Sequence, residues 1–171
     1  MKQKIKTALI SVSDKTDLSI VLKTLSKYKV KIISSGGTYK SIKQLGYPCT
    51  EVSTYTGFKE MLGGRVKTLH PKIHAGILHD RSNKKHVQEM NKQKFPSLDL
   101  IVVNFYPFQK IVNNSKNNKE IIENIDIGGP TMVRAAAKNF RNVLIITTKS
   151  DYFDLINEIE KNKGKTTLNF R

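Results

Sequence analysis

The chain has 171 residues, of which 38% are hydrophobic and 26% charged, and this balance is typical of one folded globular domain rather than a disordered segment. Its single cysteine, Cys49, excludes an internal disulfide framework and a cysteine-based zinc cluster. The formal net charge of +16 raises nucleic acid as a partner, but only five of the 30 basic residues are arginines and the lysines are spread along the chain, so we interpret most of the charge as solvated surface.

Short apolar runs alternate with segments of helical spacing along the chain. Strands are predicted, in chain order, at residues 7–12, 30–34, 49–52, 98–103 and 143–146. Helices are predicted at residues 15–28, from 35–38 to Gly46, at 84–92 and 120–124, from Pro130 to Asn139, and at 151–162 behind a Ser150 cap. Residues 53–80 are expected to form a long loop with some helix.

In these strands apolar residues do not alternate with polar ones, and helices separate the strands. This pattern indicates a mainly parallel sheet covered by helices on both faces, which is a three-layer α/β fold. We place one domain over residues 1–152. Residues 153–171 are interpreted as a terminal helix and the start of a linker, with 163–171 as its tail. Ligands of such folds bind at the carboxyl ends of the strands, so the polar residues there are the candidate site.

Membrane and export signals are not expected. No apolar run approaches the roughly 18 residues of a membrane span, and the charged residues 2–6 lead directly into a strand pattern rather than an apolar signal core. We therefore expect a cytoplasmic protein without a membrane partner, and no nucleic-acid partner.

Two turns combine hydroxyls and small residues with the start of a helix. The turn after the first strand holds Ser11, Ser13 and Lys15. The turn after the second strand holds Ser35, Gly36, Gly37 and Thr38. Free backbone N–H groups at a helix N-terminus attract an anion, so these turns favour phosphate binding, although ordinary helix capping by Ser, Asp and Thr would give a similar pattern.

The segment 63–76 combines glycines, cations and histidines. Gly63 and Gly64 precede Arg65, Lys67 and Thr68, which brings backbone and charge close to a ligand. The pair His70 and His74 has metal-ligand spacing, but Pro71 stands between them and no acidic residue supports them. We therefore predict no metal site there.

A last group of polar residues follows the 98–103 strand. Asn104 and Tyr106 stand at the end of that strand, where an aromatic residue is equally consistent with packing. Further on, Asp126 precedes Gly128, Gly129 and a helix that carries Arg134 and Lys138 on one face. Two solvated helix cations would give the same pattern as a pair of ligand contacts.

Taken in order, these segments resemble one family. The matching motifs are Ser11-Val12-Ser13-Asp14-Lys15, Ser35-Gly36-Gly37-Thr38, Thr56-Gly57-Phe58, Glu60 to Pro71, His74 to Leu78, Asn104 to Phe108, and Asp126 to Lys138. The chain is similar, over about residues 5–152, to the inosine monophosphate (IMP) cyclohydrolase domain of the bifunctional enzyme that also carries an aminoimidazole carboxamide ribonucleotide (AICAR) formyltransferase. This resemblance implies a methylglyoxal-synthase-like fold.

The resemblance implies closure of the purine ring of formyl-AICAR, which gives IMP and water. The catalytic positions it carries over are Lys67, Tyr106, Asp126 and Lys138. The expected substrate and phosphate contacts are Ser11, Ser13, Lys15, Ser35, Gly36, Gly37, Thr38, Arg65, Thr68, Asn104, Ile127, Gly128 and Gly129. We assign Asp126, with Lys138, to the carboxamide, Lys67 and backbone N–H groups to the formyl oxygen, and Tyr106 to relaying a proton or orienting the base.

The implied reaction needs no cofactor and no metal. The nucleophile is already tethered to the formyl group, so the enzyme must hold the productive rotamer. The family also implies a homodimer and a formyltransferase region that uses 10-formyltetrahydrofolate. The chain stops at Arg171, about where that region would begin, so its chemistry is not placed on these residues.

Three other functions share part of the pattern. A regulatory nucleotide-binding module, like the allosteric domain of carbamoyl phosphate synthetase, explains the phosphate turns but not the segment 63–76 or the pair Asp126 and Lys138. A methylglyoxal synthase would act on a triose phosphate. A nucleic-acid-binding protein explains the net charge alone.

Overall fold

Short strands and helices alternate along the chain. In the computed structural model, which describes residues 2–105 and 108–171, the strands are β1 (Lys2–Lys4), β2 (Thr7–Val12), β3 (Lys31–Ser34), β4 (Thr50–Glu51), β5 (Leu100–Asn104), β6 (Leu144–Ile146) and β7 (Lys165–Thr167). The helices are α1 (Leu18–Lys27), α2 (Gly36–Gln44), α3 (Val52–Thr56), α4 (Pro71–Leu78), α5 (Lys84–Lys92), α6 (Phe108–Asn114), α7 (Asn118–Glu123), α8 (Gly128–Lys138) and α9 (Tyr152–Lys161).

Five of the strands form a parallel sheet in the order β4-β3-β2-β5-β6. Its centre is in register across three strands, with Leu9 opposite both Ile33 and Ile101. The strand order changes direction between β2 and β5, which are neighbours in space but far apart in sequence. In open α/β sheets the crevice beyond the carboxyl ends of two such strands is where ligands bind.

Both faces of this sheet are buried. On one face Ala8 and Ile10 of β2 pack with apolar residues of α1 and α9, including Leu22 and Leu155. On the other face Leu9 packs with apolar residues of α4 and α8. Successive side chains of a strand point to opposite faces, so an uninterrupted apolar run such as β2 is what a central strand covered on both sides requires. The predicted three-layer α/β fold is confirmed.

Residues 163–171 are not the extended tail that the sequence predicts. Lys165–Thr167 form β7, which pairs in an antiparallel manner with β1, an element the polar residues at 2–4 did not reveal. Thr166 is buried, and the backbone N–H of Ile5 donates to the carbonyl oxygen of Gly164 at 3.0 Å. The last residues therefore pack on the domain, and the domain boundary at residue 152 stays a prediction.

The segment 53–80 holds more helix than the sequence suggests. Val52, placed in the third strand by sequence, instead begins α3, so β4 is limited to two residues. Pro71, taken as an argument against a helix, is the first residue of α4, where its missing N–H costs no hydrogen bond. His70 caps that helix, because its Nδ1 accepts from the N–H of Lys72 at 3.1 Å.

Three smaller differences concern where helices begin. Pro130 is the third residue of α8 rather than the first, because the two preceding glycines already adopt helical geometry. Ser150 lies inside a short 3-10 turn capped by Thr148, and α9 begins at Tyr152. The helix α6 was not predicted, and it buries none of its side chains. Among the described helices, none has both the length and the apolar content to cross a membrane.

Candidate nucleotide site

A cavity of about 590 Å³ opens at the carboxyl edge of the sheet, beyond β2, β3 and β5. Its volume is in the range of small-molecule sites. The residues predicted from sequence that line it are Ser11, Ser13, Lys15, Ser35, Gly36, Gly37, Thr38, Arg65, Lys67, Thr68, Asn104, Asp126, Ile127, Gly128 and Gly129. Residues from five separate segments of the chain therefore meet at one place in the fold.

The turn after β2 is shaped by a side chain from β5. Asn104 Oδ1 accepts from the backbone N–H groups of Ser13 at 2.6 Å and Asp14 at 3.1 Å, and its Nδ2 donates to the Asp14 carbonyl oxygen at 2.9 Å. Lys15 Nζ donates to the Ser13 carbonyl oxygen at 3.1 Å. Asn104 thus holds the first predicted phosphate turn in shape, in addition to lining the cavity.

The turn after β3 is tied to the end of β2. The buried hydroxyl of Thr38 accepts from the N–H of Val12 at 3.1 Å and donates to its carbonyl oxygen at 2.8 Å. Ser35 precedes α2 without a capping hydrogen bond from its side chain to any described residue. The first residues of α2, Gly36 to Thr38, line the cavity, and the helix dipole favours an anion at this end of the helix.

Gly36 is needed at this turn for two reasons. Its φ of +54° lies in the left-handed region that side chains rarely adopt. A Cβ at this position would also lie 3.2 Å from Lys67 Nζ. With a side chain at position 36, the Lys67 ammonium would have to move by a few tenths of an ångström, so glycine allows its close approach to the start of α2.

The segment 63–68 carries two cations, and each faces a glutamate. Arg65 donates to the Glu123 carboxylate of α7 through both Nε and Nη2. These hydrogen bonds lower the pKa of the Glu123 carboxyl from its ordinary value. Lys67 Nζ lies 3.5 Å from Glu60 Oε1. Both pairs are substantially exposed to solvent, so they contribute little to stability and their cations remain accessible.

The start of α8 closes the other side of the cavity. Asp126 Oδ1 accepts from the N–H of Gly129 at 2.9 Å, and within the described part of the chain its Oδ2 accepts no hydrogen bond. A Cβ at Gly128 would overlap Thr68 Oγ1, and one at Gly129 would overlap the Asp126 carboxylate. The two glycines therefore let the segment 63–68 and Asp126 approach the helix N-terminus.

One predicted catalytic residue, Lys138, does not line this cavity. Lys138 is the last residue of α8 and is exposed. With α8 beginning at Gly128, it lies about 15 Å along the helix axis from the end that holds Asp126, at 1.5 Å per residue. Tyr106 lies outside the described residues. The catalytic roles of both residues remain predictions.

Two acidic residues of the site were given no role by the sequence analysis. Glu123 lines the cavity from α7, and Glu60 faces Lys67 from a second cavity of about 330 Å³ that shares Lys67 with the first. Glu60 lies within the motif that carries the family resemblance, which was the signal that could have found it. Glu123 lies in a polar stretch whose contact with Arg65 depends on the tertiary fold.

No group of three or more His, Cys, Asp or Glu side chains in residues 2–105 and 108–171 is arranged to hold an ion. His74 is half-buried, and burial lowers its pKa. The prediction that the site needs no metal remains a prediction.

Comparison with known proteins gives concordant matches. The family model described as "MGS-like domain" matches residues 17–131. The bifunctional purine biosynthesis protein PurH of Clostridium acetobutylicum is 52% identical over 92% of this chain, and PurH of Bradyrhizobium diazoefficiens is 47% identical over 99% of it. The chain spans 32% of the length of each of these relatives.

A solved structure has a similar fold. The crystal structure of ForH superposes with a TM-score of 0.83 at 29% identity, and the match covers 93% of this chain and 80% of that chain. The agreement extends over nearly all of the architecture described above.

Proposed function

Because this chain belongs to the family of MGS-like domains, we propose that it is an IMP cyclohydrolase that closes the purine ring of formyl-AICAR to give IMP and water. The observation that carries the proposal is the cavity of about 590 Å³ at the carboxyl edge of the sheet. It gathers every described residue that the resemblance assigns to the substrate, apart from Lys138. The similarity to PurH proteins at about half identity supports the same reaction.

In this proposal the phosphate of the nucleotide binds at the turns after β2 and β3. The N-terminus of α2 and the ammonium of Lys15 both favour an anion there. The base then extends toward Lys67, Asp126 and the N-terminus of α8. The cavity holds the carboxamide and the formyl group in contact, which replaces a bimolecular encounter with an intramolecular one.

Ring closure forms a bond from the carboxamide nitrogen to the formyl carbon of the same molecule. The attack places negative charge on the former formyl oxygen, and the backbone N–H groups at the start of α8 and the Lys67 ammonium stabilise that charge. Asp126 Oδ2 accepts the proton of the carboxamide nitrogen, while Gly129 holds the other carboxylate oxygen. The oxygen takes up a proton, and water leaves as the former formamide nitrogen loses its proton, so that the new C=N bond completes the purine ring.

We also propose that the protein acts in the cytoplasm as a homodimer, which the family resemblance supports. The family resemblance implies a formyltransferase region, and we propose that it lies in the part of the bifunctional PurH relatives that this chain does not span. None of the motifs described above offers a folate site, so we expect no formyl transfer by the chain alone.

The decisive experiment follows the ultraviolet absorbance of formyl-AICAR after the purified protein is added. The expected result is conversion to IMP without added metal or cofactor. Tight binding of IMP without conversion would instead favour a regulatory nucleotide-binding module. Release of methylglyoxal from dihydroxyacetone phosphate would favour a lyase, and either result would contradict the proposed reaction.

A further inference from the structure

The position of the Lys67 ammonium is electrostatically unfavourable unless an anion lies nearby. Its Nζ is 3.2 Å from the place where a Cβ would stand at Gly36, the first residue of α2. A helix N-terminus carries a partial positive charge, so it repels a cation. Before substrate binds, something other than the phosphate must hold the ammonium at this end of the helix.

The Glu60 carboxylate supplies that negative charge. Glu60 Oε1 lies 3.5 Å from Lys67 Nζ, and among the described residues it is the one carboxylate in ion-pair range of this lysine. The carboxylate lies against Gly64, whose φ is +88°, and a Cβ at Gly64 would overlap it. A Cβ at Gly64 would also come within 3.2 Å of Lys67 Nζ. The glycine therefore makes room for the pair.

The pair is poorly suited to stabilising the fold. The Glu60 side chain is 50% exposed and that of Lys67 is 31% exposed, and such pairs contribute little to stability. What the pair can do is orient the ammonium, since a lysine side chain has four rotatable bonds and loses this freedom when it is held. A contact that restricts a catalytic cation without stabilising the fold has its main effect on catalysis.

We propose that Glu60 is a positioning residue that acts through Lys67: it keeps the Lys67 ammonium in the cavity, beside Gly36 and Gly64, from where the flexible lysine side chain reaches the oxyanion of the proposed reaction. This inference rests on the proposed ring-closing function. Because the oxyanion exists only in the transition state, misplacing the ammonium lowers kcat more than it changes KM. The substrate is an anion, so removing the negative charge of Glu60 does not weaken the electrostatic attraction that binds the substrate.

The test compares Glu60→Gln with the wild-type protein in steady-state ring closure of formyl-AICAR. We expect kcat to fall about tenfold, with KM within about twofold and the melting temperature unchanged within about 2 °C. Glu89→Gln is the matched control, because Glu89 is exposed on α5, away from the cavity. Its kcat should remain within about twofold of the wild-type value.

A double-mutant cycle separates positioning from a general structural effect. If Glu60 acts through Lys67, Glu60→Gln in the Lys67→Ala background should lower kcat by less than about twofold further. An equal tenfold loss in both backgrounds, or a wild-type kcat in Glu60→Gln alone, would overturn the inference. A wild-type protein that closes no ring would overturn the proposed function first, before any variant is compared.

Discussion

Asp126 lines the cavity, and one of its carboxylate oxygens accepts a hydrogen bond from the protein, whereas the other accepts none within the described part of the chain. The hydrogen bond from Gly129 N–H to Oδ1 fixes the orientation of the carboxylate without a charged partner. We predict that Asp126→Ala lowers kcat about a hundredfold, the usual scale for a lost general base. Steady-state kinetics with formyl-AICAR checks this, and Lys23→Ala, on the exposed side of α1, is the control. A kcat within about fivefold of the wild-type value would remove Asp126 from the catalytic set.

The family resemblance and the geometry of α8 give different expectations for Lys138, so its role requires a separate measurement. The resemblance assigns it a catalytic role, for which Lys138→Ala should lose activity as Asp126→Ala does. The structure places it at the exposed C-terminal end of α8, where a cation is favourable to the helix dipole in any case. If Lys138→Ala matches the Lys23→Ala control in kcat, its role is that of a solvated helix cation.

At the scale of the elements, the amino ends of three strands are joined by the buried residue Asp99, through its carboxylate and its backbone. Its Oδ2 accepts from the backbone N–H groups of Lys6 at 2.7 Å and Thr7 at 2.9 Å, and its Oδ1 accepts from Arg81 Nη1 at 2.7 Å. The Asp99 carbonyl oxygen also accepts from the N–H of Leu144 at 2.9 Å. This network aligns β2, β5 and β6 at the edge opposite the cavity.

We predict that Asp99→Ala lowers the free energy of unfolding by about 3 kcal/mol, because it leaves a partly buried cation and two backbone donors without their acceptor. Urea denaturation followed by circular dichroism measures this difference. Glu89→Ala, an exposed substitution, should stay within about 0.5 kcal/mol. A loss below about 1 kcal/mol for Asp99→Ala would mean that water replaces the carboxylate.

The elements that the sequence predicted well are those with a strong local signal. The apolar run of β2 and the polar helix α5 have the bounds that their residue patterns indicate. By contrast, α3 is capped by Glu51 and α4 by His70, and a cap of either type is visible only after the chain has folded. The pattern of apolar and polar residues therefore predicts elements such as β2 and α5, but it does not predict the short helices α3 and α4.

Among the site residues, too, some positions could be predicted from sequence and others depend on the tertiary fold. The turns after β2 and β3 could be placed together from sequence, because parallel strands bring their carboxyl ends to one edge. The partners of the two cations could not, because Glu123 reaches Arg65 across 58 residues of sequence. The family resemblance is confirmed by the MGS-like family model and the PurH relatives, whereas the individual catalytic roles remain predictions.

At the scale of the whole molecule, β1 and β7 join the two ends of the chain in a second, two-stranded sheet. Arg171 extends this connection, because its Nη1 donates to the Thr166 carbonyl oxygen and its Nε to the Phe140 carbonyl oxygen, each at 3.1 Å. Gly164 packs against the ring of Tyr28, where a Cβ would clash. The last nine residues thus contact the segments that directly follow α1 and α8.

We therefore predict that deleting residues 163–171 lowers the melting temperature by about 6–12 °C. The deletion removes several backbone hydrogen bonds and a buried side chain, which together contribute about 3 kcal/mol to the free energy of unfolding. For a chain of this length, each kcal/mol lost lowers the melting temperature by about 2–4 °C. Ring closure at 25 °C should persist, because none of the deleted residues lines the cavity. Differential scanning calorimetry measures the shift, with Lys161→Ala on the exposed face of α9 as the control. A melting temperature within about 2 °C of the full chain would restore the interpretation of this segment as a linker.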